Sequence, residues 1–231
     1  MIRVEGVYKQ FKGPPVLDNV SFVVPDHRVT VILGASGIGK TVLLRIMTGL
    51  LRPDRGQVVY DEAVLGSSDF THRHLVRRLG FVFQGGALFD SLSVADNVAL
   101  PLRERDRLAR GEVRRRVQSA LESVGMSEHA NQFPRELSGG MKRLVAIARA
   151  VAPEPQYVFF DEPTTGLDPV LKERICKLIE ALRDDKGKTV ILVTHDLETV
   201  KEVAGEILML HDARVVPLDH ASKEDYKDAN T

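Results

Sequence analysis

Cysteine is almost missing. Cys176 stands alone in 231 residues, which excludes an internal disulfide and a cysteine-built zinc site, and a reducing compartment, the cytoplasm, is expected. Long hydrophobic runs are missing as well: the longest unbroken apolar stretch is the five residues from Leu144 to Ala148, against the ~20 that a bilayer demands, so no membrane crossing is expected. Glu5 and Gly6 interrupt the start, where a signal peptide needs continuous apolar residues. Neither sign of charge is in excess. Lys+Arg and Asp+Glu both number 32, and a net charge of zero removes any overall pull toward nucleic acid or anionic lipid, leaving only local binding. Internal repeats and low-complexity tracts are absent. What is there is ordinary globular material, 43% hydrophobic and 28% charged, in a length that suits one large domain or two small ones.

Val4, Val7, Phe11, Val16, Val20, Phe22 and Val24, spaced among polar residues and Gly13-Pro14-Pro15, predict short strands joined by turns, a small β layer. Val29 to Leu33 is a β-branched run ending in a Gly-rich loop, and Leu43, Leu44, Ile46, Met47 and Leu50 then follow helical spacing. Strand–helix units recur at Tyr157 to Phe160 with a helix around Pro169 to Leu182, and at Thr189 to Val193 with a helix around Asp196 to Ala204. This alternation predicts an α/β fold with a parallel sheet covered on both faces. Between these units, from about Leu88 to Ala152, Val113, Val117, Leu121 and Val124 keep helical spacing without a strong strand, so residues 88–152 are expected to form an inserted helical subdomain in a core made of 1–87 and 153–231. Residues 103–116 hold seven Arg against three acids, either a solvated helix face or a contact for phosphate head groups. The polar stretch from His220 to Thr231 is expected to fray.

Gly34-Ala35-Ser36-Gly37-Ile38-Gly39-Lys40-Thr41 fits the G-x-x-x-x-G-K-[ST] phosphate loop, placed between a strand and a helix as that motif requires. Its glycines let backbone N–H groups converge on phosphate oxygens, Lys40 can reach the β and γ phosphates, and Thr41 offers a hydroxyl to Mg²⁺. The helix starting near Gly39 points its positive dipole end at the same anion. Tyr157 to Phe160 is an apolar strand ending in Asp161 and Glu162, at the carboxyl edge where parallel sheets hold ligands. Asp161 suits Mg²⁺ held through water, and Glu162 suits orienting or deprotonating a water that attacks the γ phosphate. These two motifs leave kinases, switches, motors and transport ATPases all open.

Leu137-Ser138-Gly139-Gly140-Met141, ahead of a helical run with Leu144, Val145, Ile147, Ala148 and Val151, closely resembles the signature motif of the ABC ATPases. A Ser followed by two glycines at a helix start is a second anion cradle, and two cradles in one chain are most simply explained by one ATP shared across a dimer interface. The remaining marks of that family stand in order: Gln84 after Phe81-Val82-Phe83, Gly166-Leu167-Asp168 after Glu162, and His195 after Val193-Thr194. The resemblance implies an ABC ATPase fold over essentially the whole chain, a phosphate-loop parallel sheet with an N-terminal antiparallel β layer and the helical insert. It also implies that Gln84 contacts Mg²⁺ and attacking water, that His195 holds the γ phosphate, and that residues 166–168 line the dimer interface. Phe11 matches the aromatic that stacks on adenine, with Tyr8 as the alternative and core packing as the plainer reading. His72 and His74 lack an acid or Cys to complete a metal set and read as surface residues, and Cys176 beside Leu171, Ile175, Leu178, Ile179 and Leu182 reads as inert packing.

The stretch Gln84 to Glu104, above all Ala87-Leu88-Phe89 and Pro101-Leu102-Arg103-Glu104, resembles the ATPases of Mla phospholipid transporters, as do Met141 in the signature and Ser36-Gly37-Ile38-Gly39 in the phosphate loop. The tail His220 to Asp228 departs from that group. The resemblance implies an ATPase that dimerises around two ATP, docks an integral-membrane permease near residues 85–104 through Leu88, Phe89 and Leu92, and works at the cytoplasmic face of the inner membrane, with lipid handled by partner subunits. Packing between subdomains is the alternative role for those three apolar residues. An ATPase of lipoprotein release or amino-acid transport is the nearest alternative function. An ABC protein acting on nucleic acid or the ribosome is disfavoured, because no second ATPase unit, long coiled-coil insertion or zinc cysteines are present.

Overall fold

The computed structural model describes residues 1–66, 72–104, 108–184, 187–203 and 205–218, without the side chains of 72–74. The side-chain expectations for His72 and His74, two of the arginines of 103–116 (Arg105 and Arg107), Ala204 and the tail from residue 219 lie outside the described residues.

β1 (Ile2–Gln10) and β2 (Pro15–Val24) pair antiparallel, Ile2 opposite Val24 and Val7 opposite Val20, burying their apolar sides. β3 (Val29–Leu33) runs through the Gly-rich loop into α1 (Lys40–Met47). β4 (Arg55–Tyr60) and β5 (Ala63–Val64) return to the first layer, where β4 pairs antiparallel with β1 and completes a sheet of order β2-β1-β4-β5. α2 (His72–Arg78) leads directly into β6 (Leu79–Val82). Three helices follow, α3 (Val94–Glu104), α4 (Arg110–Ser123) and α5 (Gly139–Val151), packed on one another with no intervening strand among the described residues. The chain then alternates β7 (Tyr157–Asp161), α6 (Pro169–Asp184), β8 (Thr189–Thr194) and α7 (Leu197–Glu202) before the hairpin β9 (Glu206–His211) and β10 (Arg214–Pro217).

The second sheet has the order β10-β9-β3-β8-β7-β6, parallel from β9 to β6 with β10 antiparallel at the edge. Its central strands β3, β7 and β8 are buried on both faces, which is why they read as continuous apolar runs instead of alternating ones. Val31, Val158, Phe160 and Leu192 join one core with α3, α4, α5 and α6, while Ile32, Phe159 and Ile191 join another with α1 and the first sheet. Cys176 is buried in the first of these cores, where burial above all pushes its thiol up to about 12, as suits inert packing. No helix among the described residues is long and apolar enough to cross a membrane.

Several boundaries differ from the sequence reading. β6 stops at Val82, so Phe83 already belongs to the turn that carries Gln84. α7 begins at Leu197 because Asp196 is its cap, accepting the Glu198 N–H at 3.0 Å. β4 escapes a periodicity search because Arg55, Gly56 and Gln57 are exposed and only Val58, Val59 and Tyr60 are buried; its pairing comes from β1, distant in sequence.

Candidate active site

Parallel pairing sets β3, β7 and β8 side by side, so the residues that follow them meet at one sheet edge. Gly34 follows β3, Glu162 follows β7 and His195 follows β8. Gly39, the residue before α1, has φ +119, and a Cβ there would come 2.7 Å from Val16 Cγ1 of β2, so only glycine lets the loop turn this close to the first sheet. Gly37, at φ +80, faces open space on the loop's outer side.

Lys40 is only 5% exposed. Its Nζ donates to Gly34 O at 2.7 Å and Ala35 O at 2.8 Å, and it pairs with Glu162 Oε1 at 3.1 Å. The loop is thereby wrapped around one ammonium. Thr41, next on α1, donates its hydroxyl to Asp161 Oδ1 at 3.1 Å. Burial pushes the Asp161 carboxyl above its ordinary value, the Thr41 hydroxyl opposes that, and the neighbouring Glu162 charge adds to it. An acid in this condition gains from a cation beside it, so the Thr41–Asp161 pair fits Mg²⁺.

Glu162 has the opposite balance. Burial raises its carboxyl, but the His195 ring, the Lys40 charge and the Thr165 hydroxyl together outweigh burial and hold it below the ordinary value, ionised. Its Oε2 accepts from His195 Nδ1 at 2.9 Å, Thr165 Oγ1 at 2.9 Å and Thr194 Oγ1 at 3.4 Å. The backbone of Glu162 is left-handed, φ +49, and its N–H bonds Val193 O at 3.0 Å. A non-glycine residue held this way costs on the order of 1–3 kcal/mol and persists only where its surroundings over-determine it. A charged carboxylate, a lysine and a histidine thus converge beside a glycine-rich loop, an arrangement able to bind phosphate and to orient a water against it.

The other expected residues lie around this cluster rather than in it. Gln84 is exposed on the turn after β6, and among the described residues no hydrogen bond joins its side chain to Asp161 or Thr41. Phe11 is 55% exposed on the turn between β1 and β2, which sets aside the core-packing alternative, and Lys9 Nζ lies 5.4 Å from its ring centroid. Tyr8 lies within β1 under the Arg55 guanidinium. Ser138 caps α5, accepting the Met141 N–H at 3.2 Å, with Gly139 exposed beside it. Gly140 is seated against α6, where a Cβ would lie 2.1 Å from Leu171 Cδ2. Asp168 caps α6, accepting the Leu171 N–H at 3.0 Å. α5 packs on α3, α4 and β6, whereas α1 packs on β7 and β8, so the signature stands apart from the phosphate loop of its own chain.

Polar residues inside helical patterns escaped the sequence reading. Asn97, fully buried on α3, accepts the Phe89 N–H at 2.8 Å and donates to Phe89 O, Leu92 O and Ser93 O at 3.0–3.1 Å. Arg143 and Arg149 of α5 bond carbonyls of the segment after β6. A buried Asn in an apolar helix face is the one signal that could have marked such a staple.

The sequence profile of the ABC transporter family matches residues 17–165. The intermembrane phospholipid transport system ATP-binding protein MlaF of Escherichia coli (strain K12) is 41% identical over 202 residues, 87% of this chain and 75% of that protein. The methionine import ATP-binding protein MetN of Caulobacter vibrioides is 41% identical over 221 residues, 94% of this chain and 66% of that protein. Among solved structures, the dimeric ABC transporter cassette MJ0796 superposes with a TM-score of 0.84 at 34% identity, covering 93% of this chain and 96% of that one. Its post-hydrolysis state bound to ADP and Pi also gives 0.84, at 33% identity over 95% of this chain and 99% of that one.

Proposed function

The chain belongs to the ABC transporter family as an ATP-binding, ATP-hydrolysing subunit, and on that premise we propose that it drives phospholipid transport of the Mla type between bacterial membranes. Residues 1–87 and 153–231 form the nucleotide core and 88–152 the part that carries the signature. Two copies enclose two ATP, each phosphate loop (Gly34 to Thr41) facing the Ser138-Gly139-Gly140 cradle and Asp168 of the partner, with Phe11 against adenine. The solved dimeric cassette supports this reading, as does the packing of α5 on α3, α4 and β6 while α1 packs on β7 and β8. Mg²⁺ would supply charge for the phosphate oxygens, and Thr41 and Asp161, which are hydrogen-bonded to each other, would hold it together with Gln84. Lys40 and His195 bind phosphate oxygens, and Glu162, hydrogen-bonded to His195 and paired with Lys40, accepts the proton of the attacking water. The copies sit at the cytoplasmic face of the inner membrane under a permease that handles the lipid.

The observation that carries the cargo is the segment from Gln84 to Glu104, whose Ala87-Leu88-Phe89 and Pro101 to Glu104 resemble Mla ATPases, together with the 41% identity to MlaF. The equal identity to MetN over a longer stretch favours amino-acid import as the second reading. Reconstitution with a membrane permease that co-purifies with this chain decides between them. ATP-dependent transfer of a fluorescent phospholipid between vesicles, lost in Glu162→Gln, supports the proposal; methionine-stimulated hydrolysis without lipid transfer supports the second reading.

A further inference from the structure

Directly after Gln84 the backbone turns through two consecutive left-handed residues, Gly86 at φ +76 and Ala87 at φ +46. The first is free for glycine, the second is strained for alanine. Both carbonyls point at one side chain: Arg149 donates Nη2–H to Gly86 O at 2.8 Å and Nη1–H to Ala87 O at 2.7 Å. Arg143, two turns earlier on α5 and only 8% exposed, donates to Phe83 O at 3.0 Å, the carbonyl that also accepts the Gly86 N–H at 2.9 Å. Gly86 itself lies on α5, where a Cβ would sit 3.5 Å from Lys142 O and 3.7 Å from Ala146 Cβ. The far end of the same loop is held by the four hydrogen bonds of Asn97 to Phe89, Leu92 and Ser93. Planar forks of this kind fix two acceptors at once, and a strained turn with both carbonyls forked has one conformation where a free loop has many.

We propose that Arg149 is a positioning residue that locks the left-handed turn at Gly86-Ala87 and thereby makes the loop 83–93 one rigid body with α5, the helix that carries Ser138 at its other end. Arg149 and Ser138 are about 16 Å apart along a helix of 1.5 Å rise, so a push on the loop displaces the signature without passing through the sheet. The clamp is a property of the chain itself. Its use in signalling rests on the reading that residues 85–104 receive the permease.

The clamp is tested on the isolated chain by amide hydrogen exchange at Gly86, Phe89 and Leu92, with ATP binding as the check on folding. Arg149→Met keeps the stem and removes both donors, and exchange there should rise by about tenfold or more, the opening expected when a strained turn loses its restraint. Adding Ala87→Gly to that variant should restore most of the protection, because glycine needs no restraint to stay left-handed. Ala87→Val, a β-branched residue on an exposed position, should loosen the loop without touching Arg149. Exchange within about twofold of the parent in both Arg149→Met and Ala87→Val, or no rescue by Ala87→Gly, overturns the clamp. With the permease present, Arg149→Met should lower the ratio of permease-stimulated to basal hydrolysis. If exchange rises as stated but stimulation is intact, the clamp stands and the docking reading of residues 85–104 is what fails.

Discussion

Glu162 divides its carboxylate between two partners, Oε2 at 2.9 Å from His195 Nδ1 and Oε1 at 3.1 Å from Lys40 Nζ. One group therefore joins the strand end of β8 to the phosphate loop. Replacing it by the isosteric amide keeps the shape but removes the base and the negative charge. Glu162→Gln should still bind ATP and accumulate a nucleotide-bound dimer, while turnover falls by about 10² or more. Nucleotide binding by fluorescence, dimer by gel filtration and phosphate release on the same sample check this; near-normal phosphate release rejects the role.

The two adjacent acids predict opposite effects of pH on stability. Glu162 titrates below its ordinary 4.5, so its network stabilises the fold above that pH and is lost as the pH falls through the lowered value. Asp161 titrates above its ordinary 3.8, so its ionised form costs stability once the pH has risen past the raised value. At neutral pH Asp161→Asn, which can still accept from Thr41, should raise the melting temperature of the nucleotide-free chain while abolishing Mg²⁺-dependent hydrolysis. Glu162→Gln should lower it, and the difference from the parent should shrink below pH 4.5. A melting series from pH 3 to pH 8 reads both; a fall in Asp161→Asn at neutral pH contradicts the assignment.

Ser138 and Lys40 stand on different parts of one chain, so a site that needs both needs two chains. Hydrolysis by the isolated protein should rise faster than linearly with concentration. Lys40→Ala and Ser138→Arg should each be nearly inactive alone, but a mixed dimer holds one site with an intact Lys40 and an intact Ser138, and mixing should recover activity. An idle mixture, with dimers verified by crosslinking, removes the shared-site arrangement.

What could be read from the sequence and what could not follow from where each signal resides. The phosphate loop, the strand ending in Asp161-Glu162 and the helix opened by Ser138 are local: a few adjacent residues fix the turn, the strand or the cap, and the structure places β3, α1, β7 and α5 where those residues predict. The meeting of Lys40, Glu162 and His195 follows from the parallel pairing of β3, β7 and β8, legible only as the α/β alternation. β4 is illegible because half of it is exposed and its partner is distant in sequence, and β10 because it is a largely exposed strand at the sheet edge. Asn97, Arg143 and Arg149 were illegible for a different reason. Their acceptors are backbone carbonyls, which leave no trace in the identity of the residues that supply them.

The structure separates the three apolar residues of the proposed docking loop. Leu88 packs against the core shared by α3, α4 and α5, so for this residue the packing alternative holds. Phe89 is 53% exposed, yet its backbone N–H and carbonyl are both bonded to Asn97, so an aromatic ring is held out to solvent on a fixed stem. Leu92 is half-buried, with its carbonyl on Asn97. An aromatic residue kept rigid and exposed loses little entropy when a partner covers it, which is the condition for an interface anchor. Phe89→Glu should therefore leave melting temperature and ATP binding of the isolated chain unchanged but weaken association with the permease by on the order of 2 kcal/mol, about thirtyfold. Leu92→Glu should show the same sign with some loss of stability, and Leu88→Glu should lose stability first, because it places a charge in a packed core. Pull-down in detergent beside nucleotide binding on each variant orders the three. Permease association undiminished in both Phe89→Glu and Leu92→Glu rejects this surface as the docking site, since Leu88 is packed against the chain's own core.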